Sequence, residues 1–388
     1  MPNFSGVWNL KEQIQAVAAG TWTGIPLYEL YAWGYNANGR LGDGTVVSKS
    51  SPVQIGTLTN WSQVSAGVNH STAITTDGKL WAWGNNTFGQ LGQNDVIPRS
   101  SPVQVGALTD WAQVSAGYTA FVAAVKSNGT LWTWGDDDGG NLGQNSIVDR
   151  SSPVQVGLLT NWSLVSAGSQ FCMAVKTDGT LWTWGGSNYG KLGDNSSGGF
   201  SNKSSPIQIG ALTTWYFVSA SAKNPKAIKT DGTLWSWGLN SNGQIGDGTI
   251  VSRSSPVQIG ALTTWSQVAG SGTFTVAVKT SGTLETWGNN NEGALGINNG
   301  YVFNRSSPVQ VGALTNWSKP SAGSNFCAVV KTDGTLWVWG RNANGQLGQN
   351  NIANKSSPVQ VGALTSWSQT SAQGNGNTVV AIFTDLSN

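Results

Sequence analysis

The sequence predicts an all-β protein: a seven-bladed β-propeller closed by strands from both termini, with a short N-terminal helical arm. Three observations predict it. A Trp-Gly-x-x-x-x-Gly-x-(Leu/Ile)-Gly signature begins at Trp33, Trp83, Trp134, Trp184, Trp237, Trp287 and Trp339, at spacings of 50 to 53 residues. A period near fifty with strand-like content indicates a propeller or an array. Each repeat holds four short β-like segments separated by turn residues. The final repeat stops after Phe383-Thr384-Asp385, and the third strand it lacks stands near the other end as Leu30-Tyr31-Ala32-Trp33-Gly34.

Residues 1–25 fit the repeat poorly. Asn9 and Glu12 form a capping box, Leu10, Ile14 and Val17 follow helical spacing, and Gly20 suits a helix stop. The expected division is therefore 1–25 as an arm and 26–388 as the propeller. In the third copy the strands are Trp111–Gly117, Phe121–Lys126, Leu131–Trp134 and Pro153–Val156. Asn128-Gly129, like Asp77-Gly78, Asp178-Gly179, Asp231-Gly232 and Asp333-Gly334, reads as a type I′ hairpin turn. The Ser-Ala-Gly strand is expected innermost, where blades crowd and only small side chains fit. The Pro-bearing strand is expected outermost, because proline cannot donate to a ladder. Nineteen of the 21 tryptophans occupy repeat positions. Each buries roughly 150–250 Å² and so serves as packing between blades. The closing blade is expected to take its inner strands from 367–385 and its outer strands from 27–56, which removes the open edge.

Charged residues are 10% of the chain, against roughly 25% in typical soluble proteins. A net charge of +2 excludes a nucleic-acid partner held by bulk charge. No stretch approaches the ~20 apolar residues of a membrane span, and no secretory leader is expected at the N-terminus. Cys172 and Cys327 are equivalent positions three repeats apart, so both read as buried free thiols.

The loop Trp339-Gly340-Arg341-Asn342-Ala343-Asn344-Gly345-Gln346-Leu347-Gly348, with the Arg-Ser-Ser-Pro-Val-Gln-Val-Gly and Val-Ser-Ala-Gly segments, resembles the regulator of chromosome condensation repeat family. The resemblance covers about 26–385 and implies a seven-bladed propeller. Family members use that fold for nucleotide exchange, light sensing, enzyme inhibition and scaffolding, so it transfers no single function. His70 alone follows an Ala-Gly pair as in the eukaryotic exchange factors, and the Gly-Trp-Arg-His-Thr motif of the plant photoreceptor is absent. The near-identical copies resemble bacterial and phage members, and the opening Phe4-Ser5-Gly6-Val7-Trp8 resembles leaders of phage structural propellers.

Nothing forms a catalytic set: one His, no clustered Cys or His, and no acids paired by the repeat. No cofactor or metal is expected. A basic residue precedes each Ser-Ser-Pro, at Lys49, Arg99, Arg150, Lys203, Arg253, Arg305 and Lys355. Such a ring can hold an anion, but a residue required in every blade is better explained by pairing within that blade. Asp136-Asp137-Asp138 reads as a solvated acidic loop rather than a calcium site. Glu285 replaces a repeat Trp, which marks either a notch between blades or a substitution at a partly exposed strand end.

The distance from Pro to the next Trp is always nine residues, whereas that from Trp-Gly to Pro varies. One face is therefore constant, and the other carries the length changes and the aromatics Tyr35, Phe88, Tyr118, Tyr189, Phe200, Tyr301 and Phe303. The expected function is non-catalytic: an exposed particle or surface protein, such as a phage tail or capsid component. The variable face, with Asp136–Asp138 and Glu285, would take a host protein or glycan. An intracellular protein-interaction scaffold and a propeller hydrolase or lyase are the alternatives. Trp8, Leu10, Ile14, Val17 and Trp22 are expected to anchor the arm to other virion proteins or to the propeller itself.

Overall fold

The structure, a computed structural model, describes residues 26–196, 201–298, 303–374 and 377–386. The arm expected over 1–25, with Trp8, Leu10, Ile14, Val17 and Trp22, lies outside them, as do Phe200 and Tyr301. Four antiparallel strands make each of seven blades. The first complete blade comprises Trp61–Ala66, His70–Thr75, Leu80–Gly84 and Arg99–Gln104. The inner strands of blades two to six begin at Trp111, Trp162, Trp215, Trp265 and Trp317.

The seventh blade joins the two ends of the chain. Its strands, from the axis outward, are Trp367–Gly374, Thr378–Asp385, Leu27–Gly34 and Lys49–Gln54. Leu27–Gly34 pairs with Thr378–Asp385 without interruption, from Leu27 opposite Asp385 to Gly34 opposite Thr378. Eight paired residues convert the last free edge into a ladder, as the complementary half-repeats require.

The Ser-Ser-Pro strands are outermost in every blade and the strands that open with Trp and carry small residues are innermost, that of blade six holding a proline of its own, Pro320. Small size is only part of the reason for the inner sequence. Facing inner strands are stitched by side chains. Ser65, Ser115, Ser166, Ser321 and Ser371 accept backbone N–H groups from Ala116, Ala167, Ala220, Ala372 and Ala66 of the next blade at 2.6–3.0 Å. Gln63, Gln113 and Gln369 do the same for Val114, Val165 and Val64. The Gln-Val-Ser-Ala run thus satisfies edge groups that would otherwise be orphaned.

The core is a set of layers between blades. Phe121, Val125, Leu131 and Leu142 of blade two pack against Trp162, Val165, Cys172 and Trp184 of blade three. Both cysteines are buried free thiols.

The hairpins differ from the expected type. Only the glycines adopt positive φ, +75° at Gly78 and +76° at Gly129. Gly78 N–H bonds Thr75 O, and Thr75 N–H bonds Lys79 O. This is a tight turn followed by a left-handed glycine, the G1-bulge form. Where a Thr follows the glycine it holds the preceding Asp, and at Asp77, where Lys79 follows, Thr75 Oγ1 and the Lys79 ammonium do so. Thr180 donates through both N and Oγ1 to Asp178, and Trp182 Nε1 donates to Thr180 Oγ1. That chain explains the Asp-Gly-Thr-Leu-Trp motif.

Candidate functional site

The variable face is built from the loops that follow Trp-Gly and from the connections between first and second strands. Each Trp-Gly loop is a latch on the next blade. The indoles of Trp33, Trp83, Trp134, Trp184, Trp237, Trp287 and Trp339, all buried, donate at 2.9–3.1 Å to a loop carbonyl of the preceding blade. The residues whose carbonyls accept are Gln346, Arg40, Gln90, Asn141, Lys191, Gln244 and Ala294. The loop itself is held by an asparagine. Asn36, Asn86, Asn240, Asn290 and Asn342 accept the N–H of the residue five places on through Oδ1. Their amide groups also donate: Asn36 Nδ2 reaches the carbonyls of Thr45 and Val47.

In blade two that position is Asp137. Its Oδ1 accepts Leu142 N–H at 2.8 Å, but the buried Oδ2 has no hydrogen-bond partner. Burial, with Asp136 and Asp149 nearby, pushes the Asp137 carboxyl up to about 6. The acidic loop is therefore not the solvated one expected. Asp136 and Asp137 are buried and only Asp138 is exposed, because the repeat requires an inward side chain at position 137. Among the described residues no group of three or more His, Cys, Asp or Glu could hold a metal ion.

The aromatics separate into two sets. Tyr35, Phe88, Tyr189 and Phe303 are exposed on four different blades. Tyr118 is buried instead: its hydroxyl donates at 2.7 Å to Gly270 O, across the axis from blade two to blade five. It forms part of a cavity of about 280 Å³ at the axial mouth, with Val68, Ser169, Lys223, Ser271 and Thr273. Tyr189 joins this region through Lys223, whose ammonium lies 5.4 Å from the Tyr189 ring centre. Tyr189 also has φ +65°, a conformation unusual for a bulky residue.

Glu285 belongs to a different place, the groove between outer strands. In four blades a Lys stacks over two tryptophans, as Lys176 does over Trp182 and Trp162 at 3.6 and 4.7 Å. In blade five Glu285 replaces the second Trp and pairs with Lys279 at 2.6 Å. It is buried rather than partly exposed. The groove beside it, about 530 Å³, has a counterpart of about 520 Å³ beside Trp182, so Glu285 does not create a notch of its own.

The basic ring is largely spent within its own blades. Lys49, Arg99 and Arg253 pair with Asp43, Asp95 and Asp247, and Arg150 donates to Gln144.

Two features escaped sequence reasoning. Exposed aliphatic pairs rim the variable face at Val46 and Val47, Val96 and Ile97, Ile147 and Val148, and Ile250 and Val251. Their signal was an apolar pair set one residue ahead of Lys49, Arg99, Arg150 and Arg253. Buried lysines also escaped notice. Lys191 is 3% exposed and its ammonium donates to Ser169 O at 2.8 Å. Burial, then the charge of Lys223, brings its pKa down to about 8. Lys226 is fully buried, donates to Asn224 O and Ser221 Oγ, and is held well below the usual lysine range by burial.

Fold and loop latch together define a seven-bladed propeller of the Trp-Gly repeat type. The model of the RCC1-like domain matches residues 96–381, and regulator of chromosome condensation (RCC1) repeats match 29–74 and 61–90. The chain belongs to this RCC1-like family. It is 32% identical over 227 residues to the ultraviolet-B receptor UVR8 of Arabidopsis thaliana, covering 57% of this chain and 51% of the receptor. It is 29% identical over 230 residues to the human E3 ubiquitin-protein ligase HERC2, covering 57% of this chain and 5% of the ligase. The matches thus span about half or less of these relatives. Human WBSCR16 superposes with TM-score 0.82 at 19% identity, covering 92% of this chain and 98% of the other. Yeast RCC1 (Prp20), in complex with Kap60, gives 0.83 at 18%, covering 94% and 90%. Those two likenesses show the fold. Among the described residues no helix is long and apolar enough to cross a membrane.

Proposed function

We propose that this chain is a non-catalytic, protein-binding propeller that presents its variable-loop face to a partner. One observation carries the reading: the rim of paired aliphatic side chains, Val46 to Val251, half or more exposed on the face that also bears Phe88, Tyr189 and Phe303. Apolar surface on a rigid ring of loops is what a protein interface uses as its centre. The relatives agree in kind, since Prp20 is described with binding properties toward Gsp1p and histones. A photo-crosslinking residue placed at Phe88, Tyr189 or Ile147 should yield one partner, identified by mass spectrometry. The same group at Leu158 on the constant face should yield none. Crosslinks from Leu158 alone would reject the reading.

The finer proposal places the propeller on an exposed particle, a phage tail or capsid, with a host protein as its ligand. The likeness of its near-identical copies to bacterial and phage members and its low charge support that proposal. Mass spectrometry of purified virions from the source tests it, and absence of the chain from them would leave the scaffold role.

A further inference from the structure

We propose that the lateral groove between blades four and five receives a tryptophan side chain from a protein partner, its indole N–H donating to Glu285. This inference is independent of the loop-face reading, which the crosslinks test separately.

The repeat departs from itself at one place. Every other blade carries an aromatic residue where blade five has Glu285: Trp81, Trp132, Trp182, Trp235, Trp337 and, in the closing blade, Tyr31. The backbone there is unchanged. Glu285 stands opposite Ala277 and Gln310, as Trp182 stands opposite Ala174 and Gln208. In the six other blades that aromatic ring meets the first tryptophan of its own blade edge-on, at 5.5–6.1 Å between ring centres. Trp265 has no ring at this position. The groove itself recurs between blades; what blade five adds is a carboxylate inside it.

That carboxylate is half used. Glu285 is 5% exposed, and its Oε1 accepts from Lys279 at 2.6 Å. Oε2 accepts no hydrogen bond from a described residue, and Glu285 lines the groove. A nearly buried acceptor left over marks a place for a donor.

Charge and shape narrow the donor. Four ionised side chains line the groove and cancel in two pairs, Asp247 with Arg253 at 2.7 Å and Lys279 with Glu285 at 2.6 Å. A cation would meet Lys279 and Arg253, and an anion would meet Asp247 and Glu285. Charge complementarity therefore favours a neutral donor. About 530 Å³, walled by Ile259 and Leu262 on one side and Pro308 on the other, accommodates an aromatic side chain. An indole donates without accepting, so it leaves no new acceptor unpaired, whereas a phenol oxygen would. In four other blades a lysine lies 3.6–4.5 Å from the centre of the ring that Glu285 replaces. An indole in the groove offers Lys279 such a face again. Leu262, half-exposed at the edge, would be covered by residues flanking the inserted side chain.

The test uses the full chain and two probes: N-acetyltryptophanamide and its 1-methylindole counterpart, which has the ring without the N–H. Binding is followed by saturation-transfer NMR of the probe. N-acetyltryptophanamide should bind saturably, and methylation should weaken binding about tenfold, as expected for one hydrogen bond to a carboxylate. Glu285→Trp restores the residue of five other blades. It should fold with a melting temperature no lower than that of the unaltered protein, and it should abolish binding. Equal binding of the two probes, binding of neither, or undiminished binding by Glu285→Trp would overturn the proposal. The probe comparison is made on the unaltered protein, so it decides even where the variant fails to fold. Binding that arises only in a Trp8→Ala, Trp22→Ala variant would assign the groove to this chain's own arm and overturn the partner reading.

Discussion

Replacing Asp137 by asparagine should stabilise the protein, and the gain should depend on pH. In five other blades the equivalent asparagine offers an acceptor to a loop N–H and a donor to loop carbonyls. Asp137 offers two acceptors, and its Oδ2 is buried without a partner. The rise of its pKa from 3.8 to about 6 corresponds to about 3 kcal/mol, at about 1.4 kcal/mol for each tenfold change in proton affinity. An unsatisfied buried acceptor independently costs about 1–3 kcal/mol. These are two counts of one cost, so they are not added. The folded state holds the proton more tightly than the unfolded chain. Its contribution is thus fully present below pH 4, declines as pH rises through about 6, and is absent above that. Asp137→Asn should therefore gain about 2–3 kcal/mol at pH 8 and close to nothing at pH 4. Chemical denaturation of both proteins at the two pH values measures this. An equal gain at both, or none at pH 8, would refute the account of Asp137 as a misfitting asparagine.

Three further outcomes follow from the packing. Trp134→Ala removes a fully buried indole and its bond to Gln90 O, and should cost roughly 3–5 kcal/mol; a melt matching wild type would refute the latch. Gly143→Ala places a Cβ about 2.7 Å from Trp184 Nε1, whereas Gly157→Ala, at a similar positive φ, meets nothing within 4 Å. The first should lower the melting temperature clearly more than the second, and equal losses would show that backbone conformation alone is at stake. His70 is fully buried where other blades have Phe121, Phe171, Phe274 and Phe326, and burial brings its pKa down to about 4. The folded state resists its protonation, so stability is lost as pH falls from 6.5 toward 4. His70→Phe should therefore raise the melting temperature more at pH 5 than at pH 8. A pH-independent effect would exclude the imidazole as the cause.

By itself the sequence determined the number of blades, their strand order and the closure between Leu27–Gly34 and Thr378–Asp385. That information is periodic and local: Trp, Gly and Pro recur at fixed offsets, and each constrains its own strand or turn whatever lies across the ring. The burial of the tryptophans followed from the same logic. The turn type did not, because Asp-Gly suits two hairpin geometries, and Gly78 with Lys79 after it adopts the same one as Gly179 with Thr180 after it. The tertiary structure alone decided where the departures from the repeat end up. Tyr118 read as a loop aromatic, but ring closure aims it at Gly270 three blades away, where a buried carbonyl awaits a donor. Asp137 read as one of three solvated acids, but the asparagine clamp of the loop turns it inward. Lys191 and Lys223 lie in separate blades with no motif to join them. Only the rotation between adjacent blades brings Lys223 near Lys191 and Tyr189, because contacts between blades depend on ring geometry that no single repeat encodes.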